Sequence, residues 1–123
     1  MGRRFFDQAW SFPWSESSVV SLLENMLSSG ILLVSRDGMI GGLLVPFPYN
    51  QNILVAQELF WWVAPDSRGG GMALLDAFED EAEMRGAGIV AMSLMEEMKG
   101  EVLSRIYERR GYKLNERSFL KVL

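Results

Sequence analysis

Neither cysteine nor histidine occurs among the 123 residues. Their absence removes disulfides, thiolate nucleophiles, imidazole bases and nearly every zinc or haem site. Any chemistry must then come from carboxylates, tyrosine, lysine, serine or main-chain groups. Basic runs are lacking too: none is longer than Arg109 and Arg110, and the formal charge is −4. Phosphate-tracking proteins need clustered Lys and Arg, so no nucleic-acid partner is expected. The longest apolar runs, such as Met39 to Phe47, fall well short of a membrane span. The start, MGRRFFDQAW, lacks the apolar stretch and cleavage site of a signal peptide. A soluble cytoplasmic protein with no membrane partner is the expectation. Repeats, low-complexity tracts and linkers are missing as well, which implies a single domain over residues 1–123. With 49% of its residues apolar, the chain can bury one sizeable core.

Along the chain, Val19, Leu22, Leu23, Met26 and Leu27 recur at helical spacing, with Ser15 as a cap and Gly30 as a stop. Two apolar β-type runs then flank Arg36, Asp37 and Gly38, an Asp-Gly hairpin signal. Pro46, Pro48, Tyr49 and Asn50 read as a loop, followed by the long strand ILVAQELFWWV, which stops at Pro65. From Met72 to Arg85 the period changes: Leu74, Leu75, Phe78 and Ala82 form a core stripe, with Asp76, Glu79, Asp80 and Glu83 toward solvent. Gly86 and Gly88 end that helix. IVAMSLM reads as a buried strand, a helix from about Glu101 to Arg110 closes at Gly111, and RSFLKVL alternates as a terminal strand. The order of helices and strands implies a mixed α/β (α+β) sheet with helices packed on it.

The stretch LFWWVAPDSRGGGMALLDAFE carries the chemistry. A strand passes through a turn into Gly69, Gly70 and Gly71 and directly into an amphipathic helix. The first turn of a helix has unpaired N–H groups, and glycines let a diphosphate approach them with no Cβ in the way. Each amide bonded to a charged oxygen contributes about 1.5–3 kcal/mol, and the helix dipole adds roughly 0.3–1 kcal/mol, so an acidic protein can still hold a pyrophosphate. Neither a Walker A ending nor GxGxxG spacing is present.

Arg68, Gly71 and Ala73 match the [QR]xxGx[GA] signature of the GNAT superfamily of N-acetyltransferases, and Val63 with Pro65 matches the VxP before it. IYERRGYKL resembles that family's LYEKxGF segment, and ERSFLKVL its closing strand. From about Ile31 to Leu123 the element order agrees. AQELFWW, LLDAFE and YERRGY resemble the small GNAT enzymes of bacteriophage genomes, and FPWSE resembles a segment of ribosomal-protein N-acetyltransferases. The resemblance implies the GNAT fold: a central sheet of about six to seven strands with a splayed pair and helices on both faces. It implies acetyl coenzyme A (acetyl-CoA) as co-substrate, without a metal. The backbone of Trp61, Trp62 and Val63 would pair with the pantetheine arm, and Gly69, Gly70, Gly71, Met72, Ala73 and Leu74, after Arg68, would cradle the diphosphate. Family members often carry an Asn seven residues before the motif tyrosine; here that position is Gly100.

Acetyl transfer needs a neutral amine, a stabilised oxyanion and a proton for the leaving thiolate. Without cysteine, direct attack in a ternary complex is the simplest route. Tyr107 matches the family's proton donor, although its place four residues after Leu103 also suits a core tyrosine. Glu58 is the candidate base: alternation puts it on one face with Phe60 and Trp62, and apolar neighbours would raise its pKa. Glu96, a water relay, or a purely solvated role for either glutamate stays open. The oxyanion donor would be the N–H of Trp62 or Val63. Trp61 and Trp62 point to opposite faces, one of them into the core. The acceptor would be an amine on a small molecule, peptide or protein, and the terminal strand and small core allow a homodimer.

Overall fold

The computed structural model describes residues 13–64, 70–93, 100–116 and 118–123. Ser15–Ser93 form one compact unit; residues 13–14 and the described residues after 93 belong to a second. In the first unit, helix α1 spans Glu16–Ser29. Ser15 caps it, its side chain accepting from the Ser18 N–H at 3.2 Å, and Gly30 closes it by donating to the Met26 carbonyl at 3.0 Å. Met26 is buried, whereas Leu27 is 72% exposed. The helix turns about 100° per residue, so centring its contact on Met26 swings the expected stripe member Leu27 outward.

Strands β1 (Ile31–Val34), β2 (Gly38–Phe47), β3 (Asn50–Val63) and β4 (Ile89–Ala91) form one sheet in that order. The first two pairings are antiparallel and the last is parallel. The β1–β2 hairpin turns at the expected Asp37-Gly38 step. The second turn is tighter than expected: β2 runs through Pro46, and Phe47 already pairs with Asn50. A register shift between Pro46 and Phe47 accommodates the proline, which has no N–H to give the ladder.

Helix α2, Gly70–Met84, lies on one face of the sheet through Leu74, Phe78 and Ala82, which pack with Ile31, Ile40 and Ala56. Its end is a Schellman motif: Gly86, at φ +87°, donates to the Glu83 carbonyl and Ala87 to that of Ala82. Met26 of α1 reaches Gly41 on the opposite face, so helices cover both faces, as expected.

Three strand expectations are corrected. The sheet has four strands among the described residues, not six to seven. Of the expected terminal strand RSFLKVL, residues 118–123 carry no regular structure, with Phe119 92% exposed, and Arg117 lies outside the described residues. Alternation confers only a propensity; a strand exists where a neighbour supplies the ladder hydrogen bonds. Among the described residues of IVAMSLM, Ile89–Ala91 are strand and Met92 and Ser93 are not, and the strand is half-buried rather than buried. Leu94 and Met95 lie outside the described residues.

A β-bulge interrupts β3. Gly41 pairs with Phe60 but Gly42 pairs with Glu58, so Leu59 is an extra residue. A Cβ on Gly42 would run into the Gln57 carbonyl. Gly42→Ala is therefore expected to destabilise the fold by about 1–3 kcal/mol through overpacking, seen as a lower denaturant midpoint at unchanged slope.

In the second unit, helix α3 spans Gly100–Arg109. A second Schellman motif ends it: Gly111, at φ +91°, donates to the Glu108 carbonyl and Tyr112 to that of Tyr107.

Candidate functional site at the β3 end and the α2 start

The end of β3 and the first turn of α2 come together. A Cβ on Gly71 would sit 3.3 Å from Val63 Cγ2 and 3.5 Å from Trp61 Cζ2, so the helix start rests on these two side chains. Among the described residues nothing lies within 4 Å of where a Cβ on Gly70 would be. Leu74 is buried one turn later and anchors the helix, while Met72 and Ala73 are exposed. The N–H groups of this first turn have no partner within the helix and carry its positive dipole end. A group approaching along Gly70 meets the main-chain donors of this first turn at a residue that carries no side chain of its own. Residues 65–69, Arg68 and Gly69 among them, lie outside the described residues.

Trp61 and Trp62 point to opposite faces, as expected. Trp61 is half-buried and packs on the α2-side cluster with Val63, and Trp62 is 3% exposed on the other face. Glu58 is corrected. Its partner is Gly42, and Phe60 pairs with the adjacent Gly41, so Glu58 and Phe60 lie on opposite faces. The bulge at Leu59 reverses the alternation and puts Glu58 on the face of Ala56, Trp61 and Val63. Simple alternation missed this because nothing in QELFWW marks the extra residue. The visible hint was across the ladder, in Gly41-Gly42, since glycines inside a strand accompany bulges and close backbone approach.

Pairing between β3 and β4 covers only Val55, Ala56 and Gln57 against Ile89, Val90 and Ala91. Past Gln57, β3 continues to Val63 without β4 beside it. At that divergence sits Glu58, 4% exposed, with Oε1 accepting from the Ser93 N–H at 3.0 Å. Burial raises its pKa from 4.5 to about 7, against a smaller lowering by the Ser93 amide. Its own carbonyl accepts from Gln57 Nε2 at 3.1 Å. The Ser93 contact was not legible beforehand, because it joins residues 35 apart in the chain. The arrangement supplies a buried carboxylate that changes charge near neutrality, at the point where the β3–β4 pairing stops. Glu96, the competing base, lies outside the described residues.

Tyr107, in the second unit, is 7% exposed on α3, with its ring 5.4 Å from that of Tyr112 at an interplanar angle of 55°. Gly100 is the first residue of α3. Among the described residues no group of three acidic side chains could hold a metal ion, and no helix is long and apolar enough to cross a membrane.

No protein-family model matches the sequence, and no curated protein matches it. Solved structures do. A Pyrococcus furiosus protein assigned to the acetyl transferases aligns at TM-score 0.70 with 24% identity, over 98% of this chain and 88% of that one. A transcriptional regulator from Bacillus halodurans aligns at 0.72 with 14% identity, over 98% and 91%. AAC(6')-Iy, in complex with the bisubstrate analogue CoA-S-monomethyl-acetylneamine, aligns at 0.69 with 13% identity, over 99% and 88%. At these identities the likeness establishes a shared fold, one found in acetyltransferases.

Proposed function

We propose that this chain is an N-acetyltransferase of the GNAT type that moves an acetyl group from acetyl-CoA to an amine, the two bound together. The observation that carries the reading is the glycine-bearing first turn of α2, seated on Trp61 and Val63 where β3 runs on without β4. A diphosphate fits the amides of the α2 start at Gly70 and Gly71, and an amide-containing arm fits alongside an extended strand, as an added strand would. The solved neighbour that holds a coenzyme A–neamine conjugate supports an amine acceptor. Arg68, Gly69, Met72, Ala73 and Leu74 enter the cofactor site by the signature, and Trp62 or Val63 supplies the N–H that stabilises the oxyanion.

In this reading the acceptor nitrogen bonds to the thioester carbon, and the carbon–sulfur bond breaks with its electrons on sulfur. Glu58 takes the proton the amine loses, and the thiolate leaves as coenzyme A after protonation by Tyr107. The acceptor is a small molecule, a peptide or a protein. Residues 1–123 act as one cytoplasmic domain without a metal.

Two measurements test the proposal: the thermal shift with acetyl-CoA, and coenzyme A release detected with a thiol reagent across an amine panel. Stabilisation with turnover is expected; no stabilisation at millimolar acetyl-CoA would end the proposal. Tyr107→Phe is expected to bind acetyl-CoA normally and lose about 10²-fold or more in kcat, the usual worth of a positioned acid. An unchanged rate would remove Tyr107 from that role. A second reading, a non-catalytic coenzyme A-binding or regulatory module, draws on the fold's occurrence in a protein named as a transcriptional regulator. Stabilisation without turnover would favour it.

A further inference from the structure

The hydrogen bond between Glu58 and Ser93 stands where the sheet opens. The β3–β4 ladder has three rungs and ends at Gln57 and Ala91. Were it to continue, the next main-chain donors of the β4 segment would meet carbonyls of β3. The Ser93 N–H is met instead by a side-chain oxygen, Glu58 Oε1, at 3.0 Å. A glutamate side chain is longer than a main-chain rung, so its backbone stands back from the β4 segment. Two neighbouring features work the same way. Leu59 is the extra residue of the bulge, which bends and twists β3 at this point. The Glu58 carbonyl accepts from Gln57 Nε2, which satisfies it within β3.

We propose that the Glu58 side chain is the strut that ends the β3–β4 ladder and sets the opening between the two strands, making Glu58 a positioning residue for the co-substrate arm as well as the base. This rests on the acetyltransferase reading, which supplies the arm. The two roles of Glu58 separate chemically. Glutamine keeps a side-chain oxygen for the Ser93 N–H but cannot take a proton. Methionine keeps the length and offers no comparable acceptor, and alanine removes both.

The test measures acetyl-CoA affinity by calorimetry and exchange of the Ser93 amide by NMR in wild type, Glu58→Gln, Glu58→Met and Glu58→Ala. Glu58→Gln is expected to bind within about 2-fold of wild type while losing turnover, and Glu58→Met and Glu58→Ala at least about 10-fold more weakly. The Ser93 amide should be protected in wild type and Glu58→Gln and exchange faster in the other two. Should Glu58→Ala not fold, Glu58→Met, which fills the same space, carries the comparison. A Glu58→Met protein that binds like wild type, or whose Ser93 amide stays protected, would overturn the strut and leave the acetyltransferase reading standing. Wild type that does not bind acetyl-CoA would remove the function instead, and Ser93 exchange would then decide the strut by the same criterion.

Discussion

Glu58→Gln is expected to lower acetyl transfer by about 10²–10⁴-fold, the span of general-base contributions, and to remove a pH dependence of stability that wild type shows. The stability effect follows from linkage. The carboxyl of Glu58 has a pKa of about 7 in the folded protein against an ordinary 4.5, so between these values the folded chain holds a proton that the unfolded chain has released. A group raised in this way contributes stability fully below the unfolded pKa and loses it as pH climbs through the folded one. Wild type should therefore lose about 3 kcal/mol of its stability between pH 4.5 and 7.5 through this group, and Glu58→Gln should not. Urea titrations across that interval give the difference between the two curves. Parallel curves would mean that Glu58 is ionised at ordinary acidity and that its burial is relieved by solvent. For the rate, kcat/KM of wild type with an arylamine acceptor, itself unprotonated in this range, should rise below pH 7 and level above it. A flat profile would assign proton removal elsewhere, with Glu96 or water next in line.

Gly70→Asp separates ligand binding from folding more sharply than any other substitution in the chain. Among the described residues nothing lies within 4 Å of a Cβ on Gly70, the first residue of α2, and its φ lies outside the left-handed region, so an aspartate is expected to be accepted there. Its charge faces the positive end of the helix and should hold the melting temperature level or raise it by the equivalent of about 0.3–1 kcal/mol. The same carboxylate occupies the anion position and repels a diphosphate. Acetyl-CoA affinity is expected to fall at least about 100-fold, which is about 2.7 kcal/mol. A variant that binds acetyl-CoA as wild type does would mean that the α2 start is not the diphosphate site. Loss of binding together with loss of folding would contradict the open space at Gly70.

The glycine-bearing start of α2, the proposed diphosphate site, could be picked out in sequence because its requirement is local. Bare amides at a helix start need glycine, a preceding turn and an amphipathic continuation, and all three are written consecutively between Pro65 and Phe78. The surroundings of Glu58, the proposed base, were less legible. Glu58 could be picked out as a carboxylate among apolar residues, but its face was misread, because one bulged residue reverses every alternation that follows it. Its partner, the Ser93 main-chain N–H, has no sequence signature at all.

The chain's own pattern settled which segments become helices and where they stop: Ser15 at the start of α1, Gly86 and Gly111 at the ends of α2 and α3, and the apolar stripe of Leu74, Leu75, Phe78 and Ala82 on the core side. These are decisions made within a few residues by hydrogen bonds and steric limits that any solvent-exposed chain obeys. Tertiary structure alone decided how many strands pair, where β3 leaves β4, and that a carboxylate is buried at that point. Strand pairing and burial depend on what the rest of the chain brings alongside. So residues 118–123, with the alternation of a strand, carry no strand, while Glu58, a residue type made for water, is buried with its pKa raised to about 7.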